Sequence, residues 1–150
     1  MCKPPLVHYS TEQEYRQHFM RVYCHGSIKT FDGYQVRIFP NHFNHCMFES
    51  ADRRARDKSI FSVQRAERID WIKATLENAE AQQYQGWDRD KRQIDPNTRV
   101  TNAFDDYVVI IYFSRTRGGI WVTDFITAYV ADTNIGRIRT APIWDIKNCR

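Results

Sequence analysis

The chain predicts an α+β fold in which N-terminal helices pack on one face of a small antiparallel sheet. Three features of the sequence carry that expectation. There is a capped amphipathic segment near the start, a long apolar stripe of helical period over residues 60 to 83, and a pair of strand-like runs after residue 107. At 150 residues the chain suits a single domain around one core, spanning 1–150.

The first nine residues, MCKPPLVHY, read as a linker or a disordered start. Ser10 or Thr11 can cap the first helix, with Gln13 or Glu14 three residues on completing a capping box. Tyr15, Phe19, Val22 and Tyr23 would form its buried side, and Gly26 should stop it. Asp32-Gly33 marks a turn into the alternating run Tyr34 to Phe39, which Pro40 closes. A histidine segment, FPNHFNHCMFES (39 to 50), follows, and then an arginine patch of Arg53, Arg54 and Arg56.

The second helix is expected over residues 60 to 83. At about 100° per residue, Phe61, Arg65, Ile69, Ile72, Leu76 and Ala79 share one side, with Arg68 on its flank. Residues 85–106 show no sustained period and read as a long polar loop. YVVIIYF (107 to 113) has the continuous β-branched and aromatic character of a central strand. SRTRGG is a turn into IWVTDFITAYV (120 to 130), which alternates. Ile120, Val122, Ile126, Ala128 and Val130 would face the helices, while Trp121, Thr123, Phe125, Thr127 and Tyr129 would form the other face. Asp124 breaks the apolar face and calls for an arginine partner. A last short strand is expected over Ile135 to Thr140, with Pro142-Ile143-Trp144 covering an edge or the bottom of the core.

Composition narrows the function. The formal charge is +4, and sixteen of the twenty-two basic residues are arginine. Arginine grips phosphate with a planar fork, and the many aromatic rings offer faces for bases, so an anionic or nucleic-acid partner is favoured. The four cysteines, Cys2, Cys24, Cys46 and Cys149, form no C-x-x-C pair, which points to a reducing, cytoplasmic setting. His42, His45 and Cys46 lack a second spaced ligand pair for zinc, so no metal and no cofactor are expected. No apolar run approaches a spanning helix, and the start lacks the apolar core of a signal peptide.

The candidate chemistry is metal-free RNA cleavage. It needs a base for the 2′-hydroxyl proton, an acid for the departing 5′-oxygen, and fixed cations for the growing charge. His45 or His42 can supply the proton transfer, the choice between them staying open. Arg65 and Arg68, one helical turn apart, suit the charge task. Thr127 can orient a phosphate oxygen, and Tyr129 can stack a base or donate a hydrogen bond. Arg53, Arg54 and Arg56 would clamp backbone phosphates, and Trp121 and Phe125 would add to the aromatic platform for RNA. Each also has an ordinary structural role: Arg65 can lay its methylenes on the core, and Thr127 and Tyr129 can be plain sheet residues.

From Phe39 to Trp144 the chain resembles phage-associated members of the barnase, EndoU, colicin and RelE-like nuclease superfamily. The resembling parts are HFNHCMFE, the RAERIDWIKATL helix, the YVVIIYF and DFITAYV strands, and the closing Pro-Ile-Trp. The resemblance implies a compact ribonuclease, used as a toxin and neutralised by a dedicated immunity or antitoxin protein. The positions it matches are His45 with Phe48, Arg65, Arg68, Thr127 and Tyr129. The expected reaction is cleavage of transfer RNA or another structured RNA by 2′-hydroxyl attack to a 2′,3′-cyclic phosphate. Two readings stand beside it: a non-enzymatic nucleic-acid-binding module, and a phage protein that binds a host protein through its arginines.

Overall fold

A computed structural model describes residues 3–50, 58–88 and 90–145. The fold is α+β, with a five-stranded sheet in the order β1-β7-β6-β5-β4 and a separate two-stranded ribbon, β2-β3. The strands are β1 (Val36–Arg37), β2 (Phe48–Glu49), β3 (Ile60–Phe61), β4 (Gln82–Asp88), β5 (Gln93–Phe104), β6 (Tyr107–Arg115) and β7 (Trp121–Val130). The large sheet is mixed, because β1 runs parallel to β7 while every other pair is antiparallel.

The first helix, α1 (Glu12–Phe19), starts where the capping residues require. The Thr11 hydroxyl accepts the Glu14 amide and donates to the Glu14 carboxylate. A π-helical turn, Met20–Cys24, continues it to Gly26, where an added Cβ would stand 2.2 Å from the Val22 carbonyl oxygen. Tyr15, Phe19 and Tyr23 are buried as expected, and His18 joins them. Residues 3–9 are no linker. Val7 N–H bonds to the Glu67 carbonyl, Trp71 Nε1 to Pro4, and the Tyr15 hydroxyl to Val7, which straps the segment across the helices.

The histidine segment forms α2 (Asn41–Met47), which buries Phe43, Cys46 and Met47. The expected helix over 60 to 83 is broken into three pieces. Ile60 and Phe61 pair with β2, Ser62 caps a single turn α3 (Val63–Ala66), and α4 (Ile69–Glu77) begins after Arg68 leaves the helical region at φ −95°, ψ 19°. Ile69, Ile72 and Leu76 still form the buried stripe, because a stripe of helical period survives wherever its own turn is intact. Ala79 lies beyond the helix and is exposed.

Residues 85–106 are not a loop. They supply most of a long hairpin, β4 with β5, whose pairing runs from Gln82 opposite Ala103 to Asp88 opposite Gln93. Cross-strand hydrogen bonding holds this polar sequence extended where side-chain pattern gives no signal. The segment Ile135–Arg139 is a short helix, α5, in place of the expected strand. The closing segment does cover an edge: Gln85 N–H bonds to the Pro142 carbonyl, Trp144 N–H to Gln83, and the buried Trp144 stacks on Phe113 with centroids 5.0 Å apart.

Both faces of the sheet are used, unequally. The inner face carries Val100, Val109, Ile111, Phe113, Phe125 and Ala128 into the main core with α1, α2 and α4. At one end of the outer face, Tyr84, Ala103, Val108 and Ala131 form a smaller cluster under Ile135 and Ile138 of α5. Among the described residues, no helix packs on the other end of the outer face.

The facing of β7 departs from simple alternation for a stated reason. Ile110 opposes Thr127 and Ile111 opposes Phe125, so Ile126 is an extra residue and the strand bulges there. Before the bulge, Trp121, Thr123 and Phe125 turn toward the helices; after it, Ala128 and Val130 do. The predicted faces are therefore reversed for 121–125 and correct for 127–130.

Candidate functional site

Cross-strand register assembles a row of polar side chains on the open end of the outer face. Arg99 on β5 stands opposite Tyr112 on β6, Tyr112 opposite Asp124 on β7, and Asp124 opposite Arg37 on β1. Side chains opposed on one face of a sheet are close enough to act together. The Arg99 guanidinium lies 5.9 Å from the Tyr112 ring centroid. Arg37 donates from Nε to Asp124 Oδ1 at 2.6 Å and from Nη2 to Oδ2 at 2.9 Å, a bidentate fork that raises the pKa of the guanidinium further.

Above Arg99, Tyr112 and Asp124 runs an open groove of about 670 Å³, floored by these residues and Ile126 and walled by residues 95–98, where β5 bulges out of register with β4. Burial works against the ionised Asp95, yet hydrogen bonds from Thr98 and Asn97, with Arg99 nearby, outweigh it and hold the carboxyl below its ordinary range. Asp95 thereby fixes the bulge of β5 that walls the groove. Arg99 is set by Gly86: a Cβ there would come 2.5 Å from Arg99 Cγ, so only glycine lets the stem cross the hairpin. Arg99 Nε is buried and lacks a hydrogen-bond partner among the described residues.

The residues singled out from the sequence do not gather at one place. Arg65 pairs with Glu49 on the ribbon, Nε to Oε1 at 3.6 Å. Arg68 turns the other way, donating to the Gln64 carbonyl and Glu67 and resting 5.0 Å over the Trp71 ring. The two guanidiniums thus serve different neighbours instead of one phosphate. His45 is exposed in the last turn of α2, within the helical layer. Thr127 and Tyr129 lie on the outer face: Thr127 opposes Ile110 next to the polar row, and Tyr129 packs on the cluster under α5. Phe125 is 1 % exposed and the half-buried Trp121 packs on the main core, so both turn away from the outer face. Arg53, Arg54 and Arg56 lie outside the described residues.

His42 is half-buried beside Phe125, with ring centroids 5.4 Å apart. Its Nδ1 accepts the Phe39 amide at 2.9 Å, which places the proton of the neutral ring on Nε2. Burial lowers the pKa of the ring, and the nearby charge of Asp124 only partly offsets this. His42 is therefore a neutral hydrogen-bond donor through Nε2, and its one basic nitrogen is engaged by the backbone.

His18 is the centre of a hydrogen-bonded chain. Nδ1 lies 2.8 Å from the Tyr9 hydroxyl and Nε2 lies 2.7 Å from Asp70 Oδ1. A carboxylate only accepts, so Nε2 carries the proton and Nδ1 takes the Tyr9 hydroxyl in the neutral ring. The chain ties the N-terminal strap to α1 and α4.

Sequence reasoning missed Arg37, Arg99 and Tyr112. The available signal was Asp124, whose need for an arginine was legible and is met by Arg37. Among the described residues no group of three or more His, Cys, Asp or Glu side chains is placed to hold a metal ion, and no helix is long and apolar enough to cross a membrane. Compared with family models, curated proteins and solved structures, the chain has no match.

Proposed function

We propose that the chain is a metal-independent endoribonuclease whose RNA site is the open outer face of the sheet. One observation carries this reading: the row Arg99, Tyr112, Asp124, Arg37 sets two permanent cations, a carboxylate and a phenol side by side, and its first three members line a groove. Those are the groups that phosphodiester cleavage by a 2′-hydroxyl requires. Asp124 takes the 2′-hydroxyl proton, Tyr112 gives a proton to the departing 5′-oxygen, and Arg99 and Arg37 hold the charge on the phosphoryl oxygens. Thr127, next to the row, remains a candidate to orient a phosphate oxygen. His45 and Arg65 belong to the helical layer and are kept as the competing catalytic set.

Toxin use, an immunity or antitoxin partner, and action on RNA in a cytoplasm follow from the superfamily resemblance and are proposals of the same standing. A non-enzymatic RNA-binding module is the second reading. It is favoured by the fork from Arg37, which engages both oxygens of Asp124 and leaves the carboxylate fewer lone pairs for a proton.

The test is incubation of the pure protein with total transfer RNA in excess EDTA. Scission to 2′,3′-cyclic ends that is lost in Arg99→Ala and Asp124→Asn, and kept in His45→Ala and Arg65→Ala, supports the row. The reverse pattern returns the site to the helical layer. Salt-sensitive binding without any cutting selects the binding module.

A further inference from the structure

The charged groups of the groove are unequally engaged. Three carboxylates and two cations line it: Asp88, Asp95 and Asp124, with Lys91 and Arg99. Each carboxylate already has donors of its own. Asp88 accepts the Asp90 and Lys91 amides, Asp95 accepts those of Asn97 and Thr98 with the Thr98 hydroxyl, and Asp124 takes the fork from Arg37. The cations lack such partners. Arg99 Nε is buried without a hydrogen bond, and the ammonium of the exposed Lys91 pairs with no group among the described residues. What the groove leaves unsatisfied is therefore positive charge, at two places.

Backbone geometry strings the two places along one hairpin. The Arg99 stem crosses at Gly86, and Asp88 lies two residues further along β4, about 7 Å at the rise of a strand. Lys91 follows in the turn from β4 into β5, where its amide bonds to Asp88 Oδ1 at 3.1 Å. Arg92, the next residue, does not line the groove. A ligand with one anionic group leaves one of the two cations unmet. A nucleic-acid strand repeats its charge at every phosphate and can meet both.

We infer that Lys91 is a second phosphate subsite: a strand lies along the β4–β5 hairpin with one phosphate on Arg99 and a neighbouring phosphate on Lys91. This rests on the RNA site proposed above and adds its substrate class, a segment carrying at least two charged phosphates. Lys91 binds and takes no part in the proton transfers.

The experiment measures binding of a short single-stranded RNA with two phosphates, and of the same strand with either phosphate made neutral as a methylphosphonate. Wild type, Lys91→Ala, Lys91→Arg, Arg92→Ala and Arg99→Ala are compared in EDTA, and thermal melting establishes that each is folded. Wild type should bind the doubly charged strand about tenfold tighter than at least one neutralised form, the scale of one charge-assisted contact. Lys91→Ala should lose that advantage, and its affinity should fall less steeply with salt, by about one unit of slope. Lys91→Arg should keep the advantage. Lys91→Ala with the wild-type preference, or Arg92→Ala with an equal loss, overturns the subsite; weaker binding in Arg99→Ala then leaves the RNA site standing. Unchanged binding in Arg99→Ala overturns both. Failure of wild type to bind these strands overturns the subsite, and failure with total transfer RNA as well overturns both and directs attention to an acidic protein surface as the occupant.

Discussion

Gly86 and Arg99 share one slot across the β4–β5 pair, since a Cβ on the glycine would stand 2.5 Å from the arginine Cγ. The contact is with the root of the side chain, which cannot swing aside as a guanidinium tip can. Gly86→Ala should cost about 1–3 kcal/mol, as overpacking does, and should also displace Arg99 and weaken RNA binding. In an Arg99→Ala background the same change should cost far less. A double-mutant cycle by urea unfolding reads the coupling, and equal costs in both backgrounds would show that the slot is not shared.

Asp124 and Arg37 separate stability from activity. Their side chains are 28 % and 46 % exposed, so the fork is an ion pair in contact with water. Pairs of that kind contribute at most about 1 kcal/mol. Asp124→Asn should melt near the wild type while cutting falls about a hundredfold or more, the scale expected for a lost general base. A large drop in melting temperature with proportionate loss of cutting would instead make Asp124 a structural residue.

These two pairs also mark what the sequence could and could not tell. The helix cap at Thr11, the arginine owed to Asp124 and the closing role of Trp144 were legible, because each depends on local chemistry or on a buried group needing a partner. The hairpin that carries Arg99 was not. Gln82–Asp88 and Gln93–Phe104 are polar and aperiodic, and they are strands because they pair with each other and with β6. The stripe from Phe61 to Leu76 looked continuous because an apolar residue in a strand and one on a helix look alike in sequence. Its break at Arg68 left the two helix arginines facing different partners.

His42 predicts a pH effect whose sign follows from its bonds. Its folded pKa lies below the ordinary 6.5. The unfolded chain therefore binds its proton first on acidification. Stability should be full above pH about 6.5 and should fall from there toward the folded pKa, as linkage requires. Urea unfolding at pH 7.5 and 5 should show this loss in wild type and a smaller one in His42→Gln. Nitrogen-15 shifts of the imidazole should report the Nε2–H tautomer at neutral pH. An Nδ1–H signal there would contradict the bond from Phe39.

His18 should matter for folding alone. It is 8 % exposed and bonded at both nitrogens, to Tyr9 and Asp70. His18→Ala should cost about 2–3 kcal/mol, the scale for stranding buried hydrogen-bonding groups, and should free the N-terminal strap to proteases. Tyr9→Phe, which removes one bond, should cost about half as much. RNA binding per folded molecule should be unchanged in both.

Cys46 should be chemically silent in the folded protein. Burial pushes its thiol up to about 12, against the smaller opposing pull of Arg65. Thiolate is the reactive form, so alkylation should track unfolding. Rapid modification under native conditions would show that α2 opens more readily than its packing suggests.

The extra residue at Ile126 divides β7 into two halves that obey opposite phases. A chain shortened by that single position would regain an unbroken ladder and lose its geometry. Either Phe125 would be turned out to water with Asp124 driven in among aromatic rings, or Ala128 and Val130 would leave the core. One inserted residue thus lets a single strand seal the interior along its whole length and still offer a charged carboxylate to the opposite side at its middle. In evolutionary terms, the spacing between Asp124 and Ala128 should tolerate many changes of residue type and no change of length.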